Sequence, residues 1–255
     1  MIKPDMKQLI QIAELAGQIV LSIYDQMTIN VQLKADHSVL TEADLASHEF
    51  ICSELKKQYP NIPIISEESI EQNDYAVRKN WDYFFLVDPL DGTKEFIHRN
   101  GEFTINIALI KKDQPIMGVI NAPALGVIYY AEEGKGAYKK INDQHIFLPR
   151  QIAKIKNKLN IAVSRSHSCE KTQQFLAGFI DQEIITIASG SALKFGLIAE
   201  GSADIYPRFS PTMEWDTAAG HIIVNEVGKT LTLLDRVSPL QYNKQELKNP
   251  GFIVQ

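Results

Sequence analysis

Five consecutive apolar residues, Tyr83 to Val87 (YFFLV), run directly into Asp88-Pro89-Leu90-Asp91-Gly92-Thr93. A short unbroken apolar run bounded by turn residues reads as a buried strand, and this one must end where two carboxylates stand. Pro89 and Gly92 predict a turn that brings Asp88 and Asp91 onto one site and points backbone groups into it. Gly92 and Thr93 are expected to open a helix whose first amides can bind phosphoryl oxygens. The plainer alternative is a turn that happens to contain aspartates.

The rest of the chain supplies company for those acids. Ile62 to Ser66 (IPIIS) is a second short apolar run, and it stops at Glu67 and Glu68. Before it, Leu9, Ile12, Ala13, Ala16, Ile19, Val20 and Ile23 form the stripe of an amphipathic helix over Met6 to Asp25. A second helix begins at Thr41, where Thr41 and Asp44 fit a capping pattern, and ends before Pro60. Thr104 to Lys111 with Ile116 to Ile120, and Val127 to Ala131 with Ala137 to Lys139, read as hairpins. Asn142 to Lys158 is polar and Lys-rich without clear periodicity, so the domain boundary is placed near residue 155. Residues 1–155 then form an α+β domain and 156–255 an α/β domain. In the second, the strands 159–163, 184–187, 203–206 and 230–234 alternate with the helices 170–179, 191–200 and 215–227.

Composition removes several function classes. With 26 Lys+Arg against 31 Asp+Glu, the net charge of −5 argues against sequence-independent binding of a nucleic acid polymer. Cys52 and Cys169 lack metal-ligand or redox spacing, which argues against a disulfide framework. Asp5 and Glu14 interrupt the apolar residues near the N-terminus, and no apolar run approaches the ~20 residues of a membrane span. The expectation is a soluble cytoplasmic protein without a transmembrane segment, with a peripheral place at the inner membrane left open.

Glu67, Glu68, Asp88, Asp91 and Asp216 could converge. Packed together without partners they would repel and take up protons, and divalent cations remove that conflict. Oxygen-only ligation suits Mg²⁺ or Mn²⁺; none of the six histidines has the HExxH zinc spacing, which leaves Zn²⁺ a second choice. Taken alone, Asp216 reads equally as a ligand or as an acid favoured at a helix start. Asp44 reads either as the capping acid of its helix or as the group that orients Thr93 toward an attacking water. A phosphoaspartyl mechanism usually goes with Asp-x-Asp-Gly-Thr, and here two residues rather than one separate the aspartates.

Ser66-Glu67-Glu68, Asp88 to Thr93 and Trp215-Asp216-Thr217-Ala218-Ala219-Gly220 resemble, in order, the three signature segments of the inositol monophosphatase superfamily. Asp91-Gly92-Thr93-Lys94-Glu95-Phe96, Arg99 to Thr104, Ser164 to His167, Gly190 to Lys194, Tyr206-Pro207-Arg208 and Asn249 to Phe252 are similar to its CysQ-type bisphosphate nucleotidase branch. The resemblance covers nearly the whole chain. It implies a layered α-β-α-β-α sandwich with the site in the cleft between two mixed domains. It also implies two or three Mg²⁺ per site, with Mn²⁺ as a substitute. One metal would sit on Glu67, Asp88 and the Leu90 carbonyl, and another on Asp88, Asp91 and Asp216. Asp44 and Thr93 match the pair that orients the water, and Glu68 the outer acid of its motif. Glu67, Leu90, Asp91, Gly92, Thr93, His167, Ser191, Lys194, Arg208 and Asp216 match substrate contacts, with Lys194 and Arg208 for a second phosphate.

The implied reaction is removal of the 3′-phosphate of adenosine 3′,5′-bisphosphate, a small-molecule substrate, to give AMP. The phosphosulfate form is a further substrate, with a role in sulfate assimilation. The alternatives are an inositol or sugar phosphatase of the same superfamily, against which Lys94-Glu95 and the Lys194/Arg208 pair argue, and a non-catalytic nucleotide or metal sensor. Oligomeric state is not legible. The six acids Asp44, Glu67, Glu68, Asp88, Asp91 and Asp216 account for the chain's excess negative charge.

Overall fold

A computed structural model of the chain describes residues 4–27, 31–33, 39–72, 74–148, 158–166, 169–180 and 182–255. The helices are α1 (Met6–Tyr24), α2 (Glu42–Gln58), α3 (Tyr75–Arg78), α4 (Thr93–Ile97), α5 (Glu170–Ala177), α6 (Leu193–Ala199) and α7 (Glu214–Glu226). The strands of the first half are β1 (Val31–Leu33), β2 (Val39–Thr41), β3 (Ile64–Ser66), β4 (Tyr83–Asp91), β5 (Thr104–Lys111), β6 (Gln114–Ala122), β7 (Val127–Glu132), β8 (Gly136–Ile141) and β9 (Gln144–Leu148). The second half adds β10 (Lys158–Ser164), β11 (Glu183–Ser189), β12 (Tyr206–Arg208), β13 (Thr212–Met213), β14 (Leu231–Leu233), β15 (Lys248–Asn249) and β16 (Phe252–Val254).

Strands β3 to β9 form one sheet in chain order, with β3 parallel to β4 and the rest antiparallel. The stripe that predicts α1 is what buries it: Leu9, Ile12, Ala13, Ala16 and Val20 pack with Phe85, Val87, Ile105 and Ile107 on one sheet face. On the other face, Phe84, Leu86, Ala108 and Ile120 pack against Trp215, Ala218, Ala219 and Ile222 of α7 and Phe195 of α6. Gly118 permits that approach, since a Cβ there would stand 2.6 Å from the Ala219 carbonyl oxygen. Beyond α6 and α7 lie the parallel pair β10–β11 and the antiparallel sheet β12–β16–β14. Outermost is α5, none of whose residues is buried. The result is the layered sandwich that the resemblance implies.

Three features depart from the sequence reading. Strand β4 does not stop at Val87 but continues to Asp91. Strand β9 occupies part of the polar, Lys-rich stretch in which no clear periodicity is seen; it lies at the sheet edge with four of its five residues exposed, so burial imposes no period on it. The second half is not one alternating sheet, because β12 and β14 both pair with the C-terminal strand β16. The boundary placed near residue 155 lies outside the described residues.

Candidate active site

In a plain strand Asp88 and Asp91, three apart, would face opposite sides of the sheet. Here Asp88 pairs with Asn106 and Asp91 with Thr104, so Pro89 and Leu90 together oppose Ile105. This bulge resets the alternation. Phe84 and Leu86 face the α7 side, and Phe85, Val87 and Leu90 the α1–α2 side, which returns Asp91 to the face of Asp88. Proline, with no N–H to donate, is tolerated at such a bulge. Asp88 Oδ1 accepts from the Leu90 amide at 3.1 Å, and the Pro89 carbonyl accepts from Ser47 Oγ at 2.8 Å.

Two more acids come from helix starts. Asp44 is the third residue of α2; its Oδ2 accepts from the Thr41 amide at 2.8 Å and the Thr41 hydroxyl at 2.6 Å, while Oδ1 accepts from Thr93 Oγ1 at 3.3 Å. The two sequence readings of Asp44 are therefore compatible, one oxygen serving each. Asp216 is the third residue of α7, and its Oδ2 accepts from the Met213 amide at 2.8 Å. Glu67 begins the 3₁₀ turn after β3. A pocket of 420 Å³ is lined by Glu67, Asp91, Gly92, Thr93, Glu95, Ser191, Lys194, Tyr206, Arg208, Asp216 and their neighbours. Asp88, Asp44 and Leu90 stand buried behind that wall, and Glu68 does not line it.

The carboxylates feel one another. Burial raises the Asp88 carboxyl well above its ordinary range, and the charges of Glu67, Asp91, Asp216 and Asp44 add to the effect. Asp216 is raised likewise, by burial and then by Asp91. Asp91 is pushed up to about 6 by burial, against the attraction of Lys194. Among the described residues no three acids or histidines are gathered into a finished metal cluster. The donor set nonetheless fits a hard divalent cation, being all oxygen and held by its surroundings at the cost of its own ionisation.

A raised carboxyl weakens the fold as pH climbs above its unfolded value and gives the full penalty above its folded one. The metal-free protein is therefore expected to lose stability between about pH 4 and pH 6, the window set by Asp91. A cation that requires the ionised acids gains over the same range. Mg²⁺ is expected to raise the melting temperature by several degrees more at pH 8 than at pH 5.5, at 2–4 °C per kcal/mol or about that. Equal shifts at the two pH values would contradict this reading of the acids.

In the same pocket, Lys194 is 3% exposed. Its Nζ donates to the carbonyls of Ser189 at 3.0 Å and Ser191 at 2.6 Å, and burial lowers it to about 8 against the pull of Asp91. It is thus neither an exposed helix lysine nor a freely reaching one. Arg208 is half-buried and donates to the Ser210 and Pro211 carbonyls. The Ser191 hydroxyl is committed to the carbonyls of Asp91 at 2.8 Å and Glu102 at 2.7 Å, which tie the two halves of the chain. Helix α4 has only five residues, so it contributes a pair of amides rather than a large dipole. His167 lies outside the described residues.

Glu102 and Arg165 carry no signal in the sequence beyond the resemblance of the segments they stand in. Arg165 grips Glu102 through two bonds of 2.6 and 2.7 Å, and Glu102 also accepts from the Gly190 amide at 2.8 Å. Arg165 holds the Glu102 carboxyl below its usual range. Glu214, two residues before Asp216 in the chain, is turned away from the site. Its carboxylate takes the Asn243 and Lys244 amides and the Lys244 ammonium, fixing the C-terminal loop to the start of α7.

A sequence model of the inositol monophosphatase family matches residues 2–250. The chain belongs to that family. Among its members, 3′(2′),5′-bisphosphate nucleotidase CysQ of Escherichia coli K12 is 42% identical over 97% of this chain and 98% of its own length. The Haemophilus influenzae protein of the same name is 37% identical over 98% and 91%. The crystal structure of CysQ from Bacteroides thetaiotaomicron superposes with a TM-score of 0.85 at 43% identity, covering 96% of this chain and 94% of that one. An inositol monophosphatase from Thermotoga maritima gives 0.80 at 25% identity, over 98% and 91%. The family's fold implies dependence on a divalent metal.

Proposed function

We propose that this chain is a Mg²⁺-dependent 3′(2′),5′-bisphosphate nucleotidase that hydrolyses the 3′-phosphate of adenosine 3′,5′-bisphosphate to AMP and phosphate. The phosphosulfate form is a second substrate, and the role is to clear a by-product of sulfate assimilation in the cytoplasm. One observation carries the reading: a single pocket is lined both by hard oxygen donors, Glu67, Asp91 and Asp216, and by two cationic side chains, Lys194 and Arg208. A substrate with two phosphates needs both.

Glu67, Asp88, Asp91, Asp216 and the Leu90 carbonyl are the residues that would hold Mg²⁺. When bound, it supplies charge for the phosphoryl oxygens and lowers the pKa of water. The Thr93 hydroxyl donates its hydrogen bond to Asp44, so the Thr93 oxygen can accept from the attacking water and aim it. Asp44, clamped at its other oxygen by Thr41, keeps that direction. The Gly92 and Thr93 amides receive phosphoryl oxygens. Lys194 and Arg208 face the second phosphate, Arg208 with a planar fork suited to it. His167, which follows Ser166 in the sequence, would flank the adenosine.

The test is phosphate release from adenosine 3′,5′-bisphosphate and from inositol 1-phosphate, by the parent protein and a Lys194→Ala, Arg208→Ala double variant. The nucleotide is expected to be preferred, and the double variant to lose about 10²-fold or more in kcat/KM for it, two charge-assisted contacts being removed. Faster release from inositol 1-phosphate, or unchanged nucleotide turnover in the variant, would replace this reading with that of an inositol or sugar phosphatase. No release from any phosphate ester with Mg²⁺ would leave a non-catalytic sensor.

A further inference from the structure

We propose that Asn106, seconded by Thr104, is a positioning residue of the cation site. The Asn106 side-chain amide and the Thr104 hydroxyl, on β5 directly across the ladder from the acids, are the donors that Asp88 and Asp91 would accept from when they ionise around the cation, which fixes their orientation. This rests on the reading that these carboxylates bind a divalent cation.

The ladder fixes the placement. Asn106 is the cross-strand partner of Asp88, and Thr104 of Asp91. Directly opposed residues share a face, with Cβ atoms about 4.5–5.5 Å apart. Both are almost wholly buried, at 1% and 0% exposed. Neither Nδ2 nor Oδ1 of Asn106, nor Oγ1 of Thr104, has a hydrogen-bond partner. Buried polar groups are otherwise satisfied in proteins at a rate that makes each exception informative.

Other buried asparagines here follow that rule. Asn121 donates to the Ala13 carbonyl at 2.7 Å, and Asn249 to the Met213 carbonyl at 2.7 Å and to Thr217. Packing gives no reason for an amide at 106, since beyond Thr104 its companions on that face of β5 are Ala108 and Ile110, both apolar. Chemistry does give one. An ionised carboxylate only accepts, and one oxygen of Asp88 already accepts from the Leu90 amide. A donor across the ladder complements the other. Neither Asn106 nor Thr104 lines the pocket, so neither is placed to touch substrate. Groups in that second rank typically matter 10–100-fold, or about that, for metal affinity.

The test uses Asn106→Leu, close in shape and apolar, and Thr104→Val. Mg²⁺ or Mn²⁺ affinity is measured by calorimetric titration, and the melting temperature is measured in EDTA. Asn106→Leu is expected to bind the cation about 10–100-fold more weakly, while its metal-free melting temperature stays level or rises, an unpaired amide having been replaced by an apolar group. Thr104→Val is expected to weaken binding in the same direction with its fold intact. It carries the test alone if the leucine variant does not fold. Parental cation affinity in a folded variant would overturn the proposal and make these residues ordinary core positions. A parent protein that binds no divalent cation would overturn the carboxylate reading itself, a result distinct from the first.

Discussion

Asp88→Asn is expected to lower phosphate release by about 10³-fold or more and, in EDTA, to raise the melting temperature. The two effects share one cause. Asp88 is 1% exposed and surrounded by the charges of Glu67, Asp91, Asp216 and Asp44. Its ionised form is therefore a burden on the metal-free fold and, in the proposed mechanism, the ligand that both cation positions share. Asparagine keeps the shape, and its amide can repeat neither the charge nor the bridging. Losing several kcal/mol of charge stabilisation at a metal site corresponds to rate factors of about this size. Cation affinity measured on the same variant should fall in parallel. A variant that keeps its turnover, or that melts earlier in EDTA, would show that Asp88 is an ordinary structural acid.

Gly92→Ala is expected to be the most damaging change that removes no chemical group. Gly92 has a φ of 91°, in the left-handed region, and a Cβ there would stand 2.0 Å from Ser191 Oγ. That backbone conformation costs an alanine about 1–2 kcal/mol. Displacing the Ser191 hydroxyl from the Asp91 and Glu102 carbonyls adds about 1 kcal/mol. The total, about 2–3 kcal/mol, should lower the melting temperature by about 5–10 °C. Turnover should fall by about 10²-fold even in protein that remains folded, because Asp91 and Thr93 flank the strained residue and a displacement of about 1 Å is enough. Denaturant melts and steady-state kinetics on one preparation separate the two losses; parental values in both would refute the steric argument.

Much of the site was legible because its acids sit where elements visibly change. An apolar run that halts at acids, or a cap pattern such as Thr41 to Asp44, is a local signal, and local signals survive in a sequence. Reading a turn at Pro89 caught the convergence of Asp88 and Asp91 but mistook its origin. The bulge depends on Ile105 of a neighbouring strand, and pairing partners leave no trace in the segment itself. Long-range ties were invisible for the same reason. Glu102 meets Gly190, and Ser191 meets Asp91, across 88 and 100 residues. Lys194 reads as an ordinary helix lysine, because its burial is imposed by walls built elsewhere. In the fold, the strongly patterned elements α1, α2, α7 and β4 to β8 are readable, as is β14, whereas β9, β13, β15 and β16 are not. Those are short or lie at edges, and nothing buries them on alternate sides.

Asp44 and Asp216 each hold a backbone amide at a helix start with one oxygen and offer the other to the site. Their side-chain torsions are consequently set by the beginning of a helix, and the free energy of forming α2 and α7 also orients the acids. Reorganisation, which a flexible carboxylate would undergo at each turnover, is completed here once, during folding. Conditions that fray the first turn of either helix should then misalign the chemistry before they unfold the protein. In the proposed mechanism the stability of two helix ends thus bears directly on how well the reaction is preorganised.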